Sequence, residues 1–88
     1  MDFQQIQKNI EDMLDGILED DADSVYYSRE KLENIADKLE RDSDLYNMCY
    51  DAIDMGEKWA QANATKEEVY EDLGKFYRDI KKKYKKEV

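Results

Sequence analysis

Ionisable side chains are abundant in this sequence, but the types that most often carry out chemistry are scarce. There is no histidine, and Cys49 is the single cysteine, so neither an imidazole general base nor a Cys/His metal site with paired spacing can be assembled. Ser28-Arg29-Glu30-Lys31 has the Ser-x-x-Lys form of penicillin-binding enzymes, yet the companion motifs are missing, and a four-residue match alone is what chance supplies. Asp20-Asp21-Ala22-Asp23 is the densest carboxylate cluster. It lacks the twelve-residue loop, central Gly and terminal Glu that would hold Ca²⁺, and it reads as a solvated acidic connection. The expectation is a protein that binds rather than catalyses, with no cofactor and no metal.

Charge is the stronger signal. The chain has 88 residues and a formal charge of -9, unevenly spread. Met1 to Glu57 holds 17 acids against 5 bases, whereas Lys58 to Val88 holds 6 acids against 9 bases. The positive charge gathers in Lys81-Lys82-Lys83-Tyr84-Lys85-Lys86. A negative body repels phosphates, so direct contact with nucleic acid or an anionic membrane is disfavoured and a basic protein surface is attractive. One cysteine permits no internal disulfide. The first 18 residues have neither a basic start nor an apolar run, and no segment reaches the roughly 20 apolar residues of a membrane span. A cytoplasmic location is expected. With no Pro, three Gly and no spacer, one domain spanning 1–88 is expected, small enough to be stabilised by a partner or a second copy.

Helices must position these charges. Phe3, Ile6, Ile10, Met13, Leu14 and Ile17 recur at steps of three and four, which predicts an amphipathic helix over about 3–19. The acidic run after it predicts a loop over 20–27, with Ser28 capping the next helix. Leu32, Ala36, Leu39, Ser43, Tyr46, Tyr50, Ile53, Glu57 and Ala60 keep a 4-3 spacing, so two alternatives stand: one helix from 28 to 62, or helices at 28–42 and 44–62 with Ser43 capping the second. Thr65-Lys66-Glu67-Glu68 has the capping-box form and starts a last helix, 66–86, with Val69, Leu73, Phe76, Ile80 and Tyr84 on its buried stripe. Its terminal lysines compensate the helix dipole. Nothing predicts a sheet; the one β-like run is Val25-Tyr26-Tyr27. The fold class is all-α, a small antiparallel bundle of three or four helices.

If 28–62 is continuous, Glu33, Asp37, Glu40, Asp44, Asn47, Asp51 and Asp54 align on one face. Neighbours on such a ridge lie about 5–6 Å apart, a spacing near that of successive phosphates, which would let the helix enter a basic groove in place of nucleic acid. A plain solvated face is the alternative, since every amphipathic helix has a polar side. Asp12, Asp15 and Glu19 form a shorter row on the first helix. Of seven tyrosines, Tyr46, Tyr50 and Tyr84 lie on apolar stripes, while Tyr26, Tyr27, Tyr70 and Tyr77 are candidates for contact, as aromatic anchors ringed by acids suit an interface with a basic protein. Trp59, beside Gly56 and Ala60, reads as a residue where two helices approach closely.

Asp23-Ser24-Val25-Tyr26-Tyr27 and Glu57-Lys58-Trp59-Ala60-Gln61-Ala62-Asn63 resemble the acidic Tyr-Tyr segment and the Lys-x-Trp-x-x-Ala-Asn helix end of the colicin nuclease immunity proteins. The resemblance implies a four-helix protein that blocks a basic nuclease. It covers about a dozen residues; the segment between them is longer here, and the Pro that follows Tyr-Tyr in that family is Ser28.

Charge, size and the missing catalytic residues point to an inhibitor of a basic nucleic-acid-handling enzyme, such as a nuclease or a CRISPR effector, in the manner of a phage-encoded inhibitor or a bacterial immunity protein. Asp20, Asp21, Asp23, Tyr26, Tyr27, Glu33, Asp37, Glu40, Asp44, Asp51 and Asp54 are the expected contact residues. Two other readings compete. One is an oligomeric protein that sequesters a nucleotide with Arg78, Lys81 to Lys86 and stacked tyrosines; the other is a structural or regulatory subunit of a larger complex.

Overall fold

The computed structural model describes residues 2–85, with side chains placed for 3–83. The expected burial of Tyr84 and the terminal Lys86 lie outside the described residues.

The apolar stripe of the N-terminal segment folds as α1, Asp2–Leu18, burying Ile6, Ile10, Met13 and Ile17 completely. Its end is a left-handed turn. Asp20 takes φ 57, the Asp20 N–H reaches the Ile17 carbonyl at 3.2 Å and the Asp21 N–H reaches the Gly16 carbonyl at 2.8 Å, the two bonds of a Schellman ending.

The next helix corrects the expected loop over 20–27. α2 spans Ala22–Asp37, with Asp21 as its N-cap. The Asp21 carboxylate accepts the Ser24 N–H at 3.2 Å and the Ser24 hydroxyl at 2.7 Å. Val25, Ser28, Leu32 and Ala36 form the buried stripe, so Ser28 is an interior residue of the helix and not its cap. β-propensity in Val25-Tyr26-Tyr27 is overridden because Val25 has a place to go. A Cβ on Gly16 would stand 3.0 Å from Val25 Cγ2 and 3.1 Å from Ser24 Cβ, so it is the missing side chain on α1 that lets the first turn of α2 close down.

α2 ends at Asp37, and 38–43 turns the chain through Asp42 at φ 65. The break alternative therefore holds and the continuous 28–62 helix is excluded. Ser43 caps α3, Asp44–Ala60, its hydroxyl accepting the Tyr46 N–H at 3.3 Å. α4 spans Lys66–Lys85. Thr65 Oγ1 accepts the Glu68 N–H at 3.2 Å and donates to the Glu68 carboxylate at 3.2 Å. The box is thus closed hydroxyl to carboxylate rather than through the Thr65 N–H.

Helices consecutive in the chain run antiparallel, as do α1 and α4, while α1 and α3, which also touch, run parallel. Asp20 after α1 meets Lys66 at the start of α4, with Nζ to Oδ2 at 3.0 Å, and Arg29 of α2 meets Glu57 of α3 at 3.5 Å. α1 touches all three other helices, whereas α2 and α4 do not touch. The cross-section is a rhombus with α1 and α3 on its short diagonal, α2 and α4 at its far corners. Val69, Leu73 and Ile80 of α4 complete a shared core with Met48, Cys49, Ala52 and Ile53 of α3. Gly56 lies where α3 crosses α1: a Cβ there would stand 2.8 Å from Met13 Sδ. Trp59 packs half-buried against this core. Among the described residues no helix is long and apolar enough to cross a membrane.

α3 ends as α1 does. The Ala62 N–H bonds the Trp59 carbonyl at 3.1 Å and the Asn63 N–H the Lys58 carbonyl at 2.9 Å, which places Ala62, at φ 58, where glycine is the usual residue. A left-handed alanine costs about 1–2 kcal/mol, and the extra freedom of an unfolded glycine returns roughly 0.4–1 of it. Ala62→Gly is expected to stabilise the protein by about 0.5–1 kcal/mol, a rise in Tm of about 3–6 °C in thermal unfolding; an unchanged or lower Tm would refute this reading of the turn.

Candidate partner-binding face

With Val25, Ser28, Leu32 and Ala36 turned inward, helical geometry turns Asp23, Tyr26, Tyr27, Glu30, Asn34 and Asp37 outward, and all six are exposed. Tyr26 is 48% and Tyr27 62% accessible, large values for side chains that gain most from leaving water. The two rings flank the helix on opposite sides. Tyr26 lies toward α3, with the Arg29 guanidinium 5.2 Å from its ring centre. Arg29 in turn pairs with Glu57 and, at 4.0 Å, with Glu33. Tyr27 lies toward α1, under the Lys31 ammonium at 4.4 Å. It lines a shallow groove with Asp12, Asp15 and Glu19 of α1, so the short acidic row read on the first helix stands beside an exposed aromatic ring.

Ser28 is only 2% exposed and Lys31 covers Tyr27, so the Ser-x-x-Lys match does not present an accessible nucleophile. Among the described residues no group of three or more His, Cys, Asp or Glu could hold a metal ion.

The expected contact residues divide by the elements that carry them. Asp20 and Asp21 have structural duties: Asp20 makes the left-handed turn and pairs with Lys66, and Asp21 caps α2. The Ser24 hydroxyl, then the Ser24 backbone N–H, hold the Asp21 carboxyl below its ordinary value of 3.8. A carboxyl depressed in this way supports the fold above its unfolded pKa, and the support is lost as pH falls through the lower folded value. Asp23, Tyr26 and Tyr27 do come together at the exposed start of α2.

The seven-residue acidic ridge does not exist, because the helix that would carry it is two antiparallel helices. Glu33 and Asp37 belong to α2, Glu40 to the turn, and Asp44, Asp51 and Asp54 to α3. Glu33 and Asp37 face the Tyr46–Tyr50 pair, whose ring centres are 4.9 Å apart. Burial first, then Tyr46, then the charges of Asp37 and Glu33 push the Tyr50 hydroxyl above its ordinary pKa. Asp44 and Asp51 instead line a groove with Phe76, Ile80 and Lys83 of α4. Phosphate-like spacing along one helix is therefore lost.

Tyr77 also departs from expectation. Its hydroxyl donates to the Glu11 carboxylate and accepts from Gln7 Nε2 at 3.3 Å, tying α4 to α1. Burial, then the Glu11 bond, raise its pKa. Glu30 is the contact candidate that sequence reasoning missed. Carrying the helical period of Leu32 and Ala36 back to Val25 would have placed Glu30 on the outward face.

No protein-family model, curated protein or solved structure matches the chain.

Proposed function

We propose that the α2 face, with the acidic row of α1 beside it, binds a basic nucleic-acid-handling protein such as a nuclease and blocks its nucleic-acid site. The observation that carries this reading is the pair of exposed tyrosines at the start of α2, bordered by carboxylates from two helices, on a chain of net charge -9. Aromatic side chains supply the desolvated anchor of a tight interface. The surrounding charge speeds encounter and selects a basic surface. Such a surface on an enzyme that handles nucleic acid is the one its substrate uses, so occupancy and inhibition coincide. Pairing of Arg29 and Lys31 with the tyrosine rings leaves both cations within the face, where they orient the rings and still leave an acidic surround.

The test is capture from cell lysate at about 50 and about 500 mM salt, where screening lengths differ several-fold. The baits are the wild type, Tyr27→Ala, and a variant combining Asp15→Asn, Glu19→Gln and Asp23→Asn. The captured protein is then assayed for nucleic-acid binding and cleavage. Expected are a basic, nucleic-acid-handling protein inhibited by the wild type, a loss of about 30-fold or more in affinity for Tyr27→Ala, and slower, less salt-sensitive association for the neutralised variant. Binding indifferent to both salt and neutralisation would rule the reading out.

A further inference from the structure

Gly16 and Gly56 sit where helices close on one another, and Gly74 does not. A Cβ on Gly74 would meet nothing nearer than the flexible Arg78 guanidinium, at 3.7 Å. Its φ is not positive either. A glycine inside a helix is destabilising relative to alanine, and the packing within one chain supplies no reason for this one. What glycine leaves is a notch on the flank of α4 toward α1, in a shallow groove lined by Leu14 of α1 and by Tyr70, Tyr77 and Arg78, where these neighbours keep the Gly74 backbone itself buried. Tyr70, 38% exposed, is one of the large apolar side chains left in solvent among the described residues.

The charges around the notch have an order. Glu67, Tyr70, Glu71, Gly74, Tyr77, Arg78 and Lys81 follow at steps of three and one along a single face of α4, with the acids before the glycine and the bases after it. A helix of that pattern is complementary to itself when reversed. About a two-fold axis through Gly74, Glu67 falls opposite Lys81, seven positions to either side, and Tyr70 falls opposite Arg78, four to either side. Among the described residues the side chains of Glu67, Tyr70, Glu71 and Arg78 make no hydrogen bond or ion pair. α4 is also the one helix with more bases than acids, seven against five, so two copies repel least when they meet there.

We infer that two copies of this chain associate by laying α4 against α4, antiparallel about a two-fold axis at Gly74. With the flexible Arg78 guanidinium swung aside, the missing Cβ lets the two helices approach closely, the exposed Tyr70 is covered, and each Glu67 meets the second copy's Lys81. An isologous contact demands a patch that is its own complement, and the acid–glycine–base order meets that demand. It does not fit a partner of uniform charge. Because α2 occupies the opposite corner of the bundle, the pair leaves both α2 faces clear.

Sedimentation equilibrium from low to high micromolar concentration tests this. The wild type is expected at twice its 10.5 kDa chain mass. Gly74→Gln, a good helix former whose side chain fills the notch, is expected to remain folded by circular dichroism and to be a monomer. Glu67→Lys and Lys81→Glu, each placing like charges across the axis, are expected to weaken association about tenfold or more, and their equimolar mixture to recover a heterodimer. A wild type that is monomeric throughout overturns the inference. So does a dimer that survives Gly74→Gln, or a pair of charge variants that fail to recover each other.

Discussion

Ile10→Ala is expected to remove about 3 kcal/mol of stability, the largest loss from a single truncation in this bundle. Ile10 is fully buried at the middle of α1, one of the two helices that touch every other helix. Shortening a buried isoleucine to alanine costs about 2–5 kcal/mol, the lower values where neighbours collapse into the space. Collapse is restricted here because α1 is held from three sides, and moving one neighbour inward pulls it away from the others. A folded chain of this length has roughly 4–13 kcal/mol in total, so the variant is left marginal, with Tm lower by about 12–24 °C. Urea unfolding should show a lower midpoint at an unchanged slope. A loss below about 1 kcal/mol would mean that the three-sided enclosure of α1 is not what stabilises the bundle.

Gly56→Leu is expected to be of similar severity for the opposite reason. A Cβ at 56 stands 2.8 Å from Met13 Sδ and 3.3 Å from Met13 Cε, with Val25 Cγ1 at 3.7 Å. Methionine is the most adaptable of core residues, but Met13 is fully buried and has no solvent to swing into. Overpacking of a closed core costs about 1–3 kcal/mol and at times more, while the gain in helix propensity over glycine is only about 1 kcal/mol. A net loss of about 2 kcal/mol is expected by urea titration. Combining it with Met13→Ala should cost clearly less than the two changes summed, since one vacates the space the other needs. Simple additivity would show that α1 and α3 separate to admit the leucine rather than pressing on Met13.

These two sites illustrate what could be read in advance. The stripe from Phe3 to Ile17, the Ser43 cap and the Thr65 start of α4 are local patterns, each complete within a turn or two of chain, and each is found where the spacing put it. The start of α2 is not local. Asp21 caps it, but a helix there is favourable only because Val25 packs over Gly16, nine positions earlier on another helix, and neither residue signals the other. Without that contact, an acidic run followed by Val-Tyr-Tyr favours an open connection. The same limit governs the site. Spacing of acids carries meaning only within one helix, so once the chain turns at 38–43 the row from Glu33 to Asp54 is divided between two helices, while Asp15, Glu19 and Tyr27, far less suggestive in sequence, come to share a groove. The Tyr77 link to Gln7 and Glu11 was invisible for a related reason: a tyrosine off the apolar stripe can face solvent or reach across to a neighbour, and only the neighbour's position decides.

The rhombic arrangement also sets an order of events. α1, α2 and α3 are joined by two short turns and meet mainly through contacts close in sequence, which form quickly. α4 has no hold on α2, and its link to α1 spans 70 positions, from Gln7 to Tyr77. During synthesis α1 is therefore made first and enclosed last: until α4 arrives, the flank of α1 that meets it faces water, a transient apolar stripe of the kind that draws chaperones or promotes misassembly. For this chain, the interval between the emergence of the first helix and the docking of the fourth is the period of greatest exposure.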